Sequence, residues 1–165
     1  MTGRNITIAG LALMALLTVT LVGVAQPTDP WVGTWRFNLA KSKFNPGPPP
    51  KSNTLRIEPV AGGSLKHTFD GVNADDQTTH SEQVAKFDGN ETLVQAVVPG
   101  TKTVTARAFR RLDDHSFEVV AKVDGKPTTT TRVVISRDGK TMTQTATGKN
   151  AQGQTVNNTT VYEKQ

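Results

Sequence analysis

Apolar and polar residues alternate along most of the chain beyond residue 30, and this pattern predicts β-strands. In residues 35–39 an apolar side chain stands at every second position, and residues 55–58 and 117–123 repeat the alternation. A period of two gives a strand one apolar face and one polar face. No segment beyond Ala25 has the i, i+3, i+4, i+7 spacing of an amphipathic helix over three turns. The pattern therefore predicts an all-β protein.

Turn-forming residues divide the alternating pattern into about ten strands. Asp-Gly pairs supply the positive φ angles that tight hairpins require. Such pairs stand at Asp70-Gly71, Asp88-Gly89, Asp124-Gly125 and Asp138-Gly139. The predicted strands lie near residues 33–39, 52–59, 64–70, 78–87, 91–97, 102–111, 116–123, 128–136, 141–147 and 155–163.

Short connections between consecutive strands predict an antiparallel up-and-down meander of about 8–10 strands. A meander with one apolar face leaves two unpaired edges, and closure into a barrel removes both of them. The one long connection contains the Pro-rich run 45–50, which is expected to be extended and polyproline-like. We expect this run to lie across one end of the barrel, with Phe44 beneath it.

Residues 1–25 have the features of a secretory signal peptide. Arg4 supplies a positive charge, residues 6–24 form an apolar run interrupted by Thr and Gly, and Gly23-Val24-Ala25 ends the run with small residues. Cleavage before Gln26 leaves residues 26–165 as a single exported domain, periplasmic or secreted from a bacterium. A retained membrane anchor is the alternative, because about 19 apolar residues are long enough to span a bilayer.

Without this leader the composition changes. Residues 26–165 are only about 30% apolar, which is low for a globular domain, and they are rich in threonine. So low an apolar content fits a single-layer sheet closed on itself, in which only the inner face must be apolar. The net charge falls from +5 to +4, a mild basicity that indicates solubility and does not indicate nucleic-acid binding. The absence of cysteine excludes disulfides, thiol catalysis and thiolate metal sites.

Motifs near the two ends of the mature chain resemble those of the calycin superfamily. Gly33-Thr34-Trp35 matches the Gly-x-Trp element with which lipocalins, fatty-acid-binding proteins and avidins begin their barrels. Residues 161–164 (Val-Tyr-Glu-Lys) are similar to the end of the fatty-acid-binding proteins. Residues 33–44, the Pro-rich run and residues 150–154 look like a group of exported bacterial proteins. The resemblance implies a lipocalin-like β-barrel with a small apolar or amphipathic ligand.

The chain departs from those families in three places. Lipocalins cover the tryptophan with an arginine from near the end of the barrel, and residues 155–163 contain no arginine. Fatty-acid-binding proteins present an Arg-x-Tyr element to the ligand carboxylate, whereas this chain has Thr160-Val161-Tyr162. The helix pair that covers their cavity has no counterpart in the sequence pattern. A carboxylate anchor of their kind is therefore not implied.

Two residues of the Gly-x-Trp element receive structural roles. Trp35 is predicted to plug the narrow end of the barrel, where its N–H finds a carbonyl group. Gly33 allows the backbone to lie against that ring. Trp31, which follows Pro30, is predicted to lie at the surface or rim and not to form a second plug.

A ten-strand barrel is wide enough to hold a small ligand, and a few polar residues are candidates to bind it. Tyr162 and Arg132 come first, because a guanidinium can hold an acidic head group through two hydrogen bonds. Arg107 and Thr160 complete the candidate set. The alternative for Arg132 is an exposed position beside a carboxylate, which is where most arginines lie.

Small residues at alternate positions of one predicted strand bear on the interior volume. If Val104, Ala106 and Ala108 face inward, they leave space for a ligand. The alternative is that these small side chains make room for large neighbours such as Phe109 and Phe117. Both interpretations stay open at the level of sequence.

Metal binding and catalysis find little support. His67 and His80 lie on strands joined by one hairpin, and His115 lies in a turn, but a histidine pair without a clear third ligand does not make a zinc site. The sequence has no nucleophile elbow, phosphate loop or His-Glu-x-x-His motif. We therefore predict no catalytic residues, no metal and no cofactor.

The leading hypothesis is an exported, monomeric barrel that binds a small hydrophobic or amphipathic molecule, without a nucleic-acid partner and without stable membrane insertion after cleavage. The alternative is a binding module with a solid core, which uses its outer surface or strand edges to engage a protein or an envelope polymer. An enzymatic function has the least support.

Expression of the full chain in a Gram-negative host tests the interpretation of residues 1–25. We expect the periplasmic fraction to contain a chain that begins at Gln26, because small residues precede that position. Intact-mass measurement of the fraction checks this, and Ala25→Arg should block the cleavage. An uncleaved chain in the membrane fraction of the unsubstituted protein would instead support the anchor.

Overall fold

A computed structural model of the protein describes residues 29–98, 101–123, 125–150 and 153–165, with residues 95–98 and 101–105 described by their backbone alone. The predicted signal peptide lies outside the described residues. The described chain forms ten strands and two short 3₁₀ turns, Leu39–Lys41 and Ala61–Gly63. Within it, no helix is long and apolar enough to cross a membrane. The strands are β1 (Gly33–Phe37), β2 (Ser52–Val60), β3 (Ser64–Val72), β4 (Thr78–Ala85), β5 (Asp88–Val98), β6 (Thr101–Asp113), β7 (Ser116–Val123), β8 (Lys126–Ile135), β9 (Thr141–Lys149) and β10 (Thr155–Lys164).

The ten strands form a closed antiparallel barrel, as the sequence pattern predicts. Each strand pairs with its neighbours in the chain, and β1 pairs with both β2 and β10. Trp35 lies opposite Leu55 on one side and Lys164 on the other. The short first strand thus joins the two ends of the meander, and each of the ten strands has two hydrogen-bonded neighbours.

Both tryptophans close one end of the barrel, which we call the Trp end. The Trp35 side chain is fully buried, and its indole N–H donates a 3.0 Å hydrogen bond to the carbonyl of Trp31. The prediction for Trp31 is wrong. Its side chain is equally buried, donates a hydrogen bond to the carbonyl of Asp114, and packs against Phe117 at 4.6 Å between ring centroids. Trp31 is a second plug, because the chain turns inward before β1 begins.

Gly33 lies where the backbone of β1 passes a long side chain of the last strand. Its φ angle is 137°, and a Cβ at this position would lie 2.9 Å from Cε of Lys164. The Lys164 ammonium stands 5.0 Å from the ring centroid of Trp35 and donates a hydrogen bond to the carbonyl of Pro30. Gly33 therefore makes room for Lys164, whose ammonium covers the Trp35 ring.

The first strand ends earlier than its alternation predicts. The side-chain oxygen of Asn38 accepts a hydrogen bond from the backbone N–H of Lys41, which caps a 3₁₀ turn and leaves Leu39 48% exposed. Beyond this turn, Lys43 pairs with Thr159 of β10 through two backbone hydrogen bonds. Residues 43–45 thus continue the wall beside β10 where β1 has already ended.

The Pro-rich run leads from β10 back to β2. The carbonyl of Asn45 accepts a hydrogen bond from the N–H of Asn157, and the N–H of Lys51 donates to the carbonyl of Val72. Phe44 is half-buried and packs edge-on against Phe37, with 6.1 Å between ring centroids. We call this side of the molecule, opposite the Trp end, the Pro-rich end.

One of the Asp-Gly pairs, Asp70-Gly71, lies inside a strand and does not form a turn. β3 continues through Gly71, where a Cβ would lie 2.4 Å from the carbonyl oxygen of Ser52. The glycine permits close approach of β2, and the turn is formed instead by residues 73–77 around the side chain of Asn73. Asp88-Gly89 begins β5 at a shift in register against β6. Gly139 does occupy a turn, with φ of 69°, whereas Asp124 lies outside the described residues.

The two alanines of β6 face the outside of the barrel, and the residues between and after them face the inside. Arg107 and Phe109 line the interior, whereas Ala108 lies opposite Glu91 and Ala106 opposite Leu93, which is 75% exposed. Both alanines face the outside, and the side chain of Val104 lies outside the described part. A shift of one residue exchanges the two faces of a strand, and alanine fits either face. These alanines therefore contribute no interior volume.

Truncation of Trp31 tests its role as a second plug. Trp31→Ala should lower the free energy of unfolding by about 3–5 kcal/mol, because it removes a fully buried ring and leaves a cavity. Urea denaturation followed by far-UV circular dichroism measures this. Leu93→Ala, at an exposed position, serves as the control and should change stability by less than about 0.5 kcal/mol. A loss of unfolding free energy below about 1 kcal/mol for Trp31→Ala would instead indicate that Trp31 lies at the rim.

Candidate functional site

The interior of the barrel contains a cavity of about 300 Å³ above the aromatic layer of the Trp end. Strands β2, β3, β4, β6, β7, β8 and β9 contribute to its wall. Toward the Trp end the lining is apolar: Leu55, Ile57, Phe109, Phe117, Val119, Val133 and Met142. Toward the Pro-rich end it is mostly polar: Asn53, Thr79, His80, Ser81, Thr129 and Thr131. Two further polar residues, Gln83 and Gln144, lie opposite His67 and Val133.

The cavity exists because the inward side chains become small toward the Pro-rich end. Thr79 and Ser81 on β4, Ala121 on β7, and Thr129 and Thr131 on β8 all line it. A barrel of this strand number has more interior than such short side chains fill. The two-zone lining offers an apolar region for the body of a ligand and a polar region for a head group.

A positive charge stands inside this cavity. Arg107 lies on the inner face of β6, and its Nη1 donates a 2.6 Å hydrogen bond to Oε1 of Gln83 on β4. Because β5 lies between β4 and β6 in the sheet, the arginine side chain reaches across the inner face of β5. Burial lowers the pKa of Arg107, but a guanidinium remains charged at neutral pH.

The hydrogen-bond partner of the Arg107 guanidinium, Gln83, is uncharged. No aspartate or glutamate is among the described residues that line the cavity. Gln83 is itself 8% exposed, and its amide oxygen neutralises none of the positive charge. Removing a charge from water without an opposite charge is unfavourable. The arrangement is therefore electrostatically incomplete, and an anion bound at Arg107 would complete it.

His67 is a further polar residue of the interior, and it is almost fully buried. It lies on β3 directly opposite Gln83, is 3% exposed, and its Nε2 atom is buried without a hydrogen-bond partner among the described residues. Its ring contacts Phe69, Phe109 and Phe117, with centroids 5.9–6.4 Å apart. Burial, with a smaller contribution from the charge of Arg107, lowers the pKa of His67 from 6.5 to about 4. The imidazole is therefore neutral at pH 7.

The other candidate residues lie outside this group. Tyr162 is buried beside Phe37, and its hydroxyl is 3.5 Å from Oδ1 of Asn53, which lines the cavity. Burial raises the pKa of Tyr162, so the phenol is neutral. Thr160 is half-buried opposite Gln144 but does not line the cavity. Arg132 is exposed on the outer face of β8, opposite Glu118.

The structure therefore brings together Arg107, Gln83 and His67, and it places Arg132 elsewhere. Sequence reasoning ranked Arg107 behind Arg132 and did not consider Gln83. The signal for His67 was present, because Leu65, His67 and Phe69 alternate in phase and the two apolar residues fix the inward face. Its predicted neighbour His80 instead pairs with Asp70 at 2.7 Å and is half-exposed. In the described part of the chain, no three metal-ligating side chains converge.

Comparison with known proteins shows a similarity of fold. Among solved structures, the chain is similar to a variant of the fluorescent protein UnaG, with a TM-score of 0.54 and 20% sequence identity. The match covers 82% of this chain and 96% of that chain. No protein-family model matches the sequence, and no curated protein matches it. The chain thus shares the barrel fold of that protein, and the identity is too low to carry over a ligand.

Because His67 is buried in its neutral form, we expect the free energy of unfolding to depend on pH. The pKa of His67 is about 4 in the folded state and 6.5 in the unfolded chain, so the unfolded chain takes up the proton first as the pH falls. The stabilising contribution is complete above pH 6.5 and is lost toward pH 4. Relative to His67→Gln, the wild-type protein should lose about 3 kcal/mol of unfolding free energy between pH 7 and pH 4.

Urea denaturation of both proteins at several pH values measures this difference. The comparison cancels the carboxylates, which titrate in both proteins. Parallel curves for wild type and variant would show that His67 is as readily protonated in the folded protein as in the unfolded chain.

Proposed function

We propose that this protein is an exported carrier or sensor barrel that binds a small amphipathic molecule with an anionic group. The single observation that carries the proposal is Arg107, a partly buried guanidinium that faces a cavity and has only a glutamine as its polar partner among the described side chains. The anion occupies the site beside Arg107, and the apolar body of the ligand packs toward the Trp end. Tyr162 supports the wall through Asn53.

The size of the cavity limits the ligand. Ligand pockets commonly have volumes of roughly 300–1,000 Å³, and the cavity of about 300 Å³ stands at the lower end of this range. The ligand is therefore small, with up to about three aromatic rings or a short acyl chain. Its apolar part contacts side chains such as Leu55, Phe109 and Met142, and this contact supplies most of the affinity.

The calycin-like fold is consistent with an interior binder, and the sequence of residues 1–25 supports export. The surface-binding alternative needs a solid core or a free strand edge. Each strand of the described barrel has two neighbours, and the interior holds a cavity. Both observations favour the interior site over the strand edges.

Two fluorescent probes that differ by one charge test the proposal. Anilinonaphthalene sulfonate is a naphthalene that carries a phenylamino group and a sulfonate. N-phenylnaphthylamine has the same aromatic skeleton without the sulfonate. We expect Arg107→Met to weaken sulfonate-probe binding about ten- to a hundredfold, because a hydrogen bond between charged groups is lost. The same substitution should leave the affinity for the neutral probe within a factor of about three.

Arg132→Met is the matched control, since it removes the same charge from the exposed outer face. It should leave the dissociation constants of both probes unchanged, and circular dichroism should show that both variants are folded. Equal losses for Arg107→Met and Arg132→Met, or equal losses for the two probes, would contradict an anion site at Arg107. A wild-type protein that binds neither probe would contradict the interior binder itself.

A further inference from the structure

We propose that the anion held by Arg107 also contacts His67, so that the barrel binds its ligand together with one proton carried by the imidazole. This inference rests on the proposed function and extends it. It assigns His67 as a determinant of which ligands bind and at which pH.

The geometry places the two groups on either side of Gln83. His67 and Gln83 are opposite partners on β3 and β4, a position at which Cβ atoms stand roughly 5 Å apart. Gln83 in turn accepts the hydrogen bond from Arg107. All three side chains line the same cavity. An anion beside the guanidinium therefore lies next to the imidazole, whose buried Nε2 lacks a partner among the described residues.

The charged and titratable groups around His67 are few. β2 presents Leu55 and Ile57 to the cavity, and β7, β8 and β9 present apolar side chains, threonines and Gln144. Among described residues facing the cavity, the titratable groups are Arg107 on β6 and His80 on β4, which is paired with Asp70 at the rim. The phenol of Tyr162 on β10 lies behind Asn53 and is neutral. Arg107 is thus the one fixed charge that acts on His67 from these described elements.

A bound anion reverses the electrostatics of His67. In the free protein, burial and the Arg107 charge both oppose protonation of the imidazole. An anion neutralises the field of Arg107 and attracts a proton to the nearest basic nitrogen. Protonated His67 then donates a hydrogen bond to the anion and gives Nε2 the partner that it lacks. By linkage, the ligand must bind more tightly as the pH falls.

The inference restricts the ligand class. The preferred ligand carries an acid group that stays ionised below pH 6 and has two acceptor oxygens, one for the guanidinium and one for the imidazole. A sulfonate, sulfate ester or strong carboxylic acid meets this requirement. A weak acid that is itself protonated at low pH would lose the contact with Arg107 as His67 becomes able to donate.

Proton uptake on binding is the direct test, with anilinonaphthalene sulfonate as the probe because its sulfonate stays ionised. Titration calorimetry at pH 5.5 in two buffers of different ionisation enthalpy gives the number of protons taken up. We expect a value between 0.5 and 1 for the wild-type protein, and affinity about thirtyfold higher at pH 5 than at pH 7.5 if the bound anion returns the imidazole to its ordinary pKa. These expectations require that the protein is folded at pH 5, which circular dichroism checks.

Two variants and one spectrum identify the group that takes up the proton. His67→Gln should abolish both the uptake and the pH dependence, whereas His115→Gln, in an exposed turn, should change neither. Nitrogen-15 NMR of the wild-type histidines provides a readout that needs no variant. At pH 5.5, saturation with the probe should convert the His67 signals from the neutral to the protonated form.

The outcomes separate this inference from the function on which it rests. Binding that depends on Arg107 but takes up no proton would overturn the role of His67 and leave the anion site intact. Uptake that persists in His67→Gln, or that NMR assigns to His80, would also overturn it. Failure of Arg107→Met to discriminate between the charged and neutral probes would overturn the anion site and this inference together.

Discussion

The barrel is closed by β1, which pairs with β2 on one side and with β10 on the other. Without it the meander has two open edges and its apolar face has no inside. The five residues of β1 make that junction and bring Trp35 into the centre of the Trp end, where Trp31 and Lys164 lie against it. Closure also fixes how much space the sheet encloses. Large aromatic rings fill that space near the Trp end, and short side chains leave it open above them, which is the physical origin of the cavity.

The sequence predicts the architecture well because barrel formation depends on features that are local and repeated. Alternation, turn residues and short connections together give ten strands in order and an antiparallel closed sheet. The errors arise where one residue has to be placed on a face. Alanines at 106 and 108 fit either side of a strand, and Val133-Val134-Ile135 gives β8 no clear phase. The sequence pattern therefore does not show which of Arg107 and Arg132 faces inward, and ranking Arg132 first was wrong. Trp31 precedes the first strand, where alternation has no meaning.

Unlike the strand order, the candidate site depends on contacts that local sequence patterns do not encode. Its members come from β3, β4 and β6, and their association depends on an arginine that reaches across β5 to a glutamine. Nothing local in the sequence encodes that contact, since it arises from the curvature of the closed sheet. His67 could have been assigned to the interior from its in-phase apolar neighbours, but its relation to Arg107 required the register between β3 and β4. Among the described residues, the partly buried charge of Arg107 has no carboxylate beside it and the buried Nε2 of His67 has no partner. Both arrangements are unfavourable in the free protein, and both become favourable when an anion binds.

The proposed ligand site lies inside the barrel, where Arg107 would hold an anionic amphipathic molecule. A crystal structure of the wild-type protein with anilinonaphthalene sulfonate would show whether the probe binds there. We expect electron density for one probe inside the barrel, with its rings among Leu55, Phe109 and Met142 and a sulfonate oxygen within hydrogen-bond distance of the Arg107 guanidinium. A probe bound to the outer surface, or a cavity filled by the protein's own side chains, would show that Arg107 is not an interior anion site.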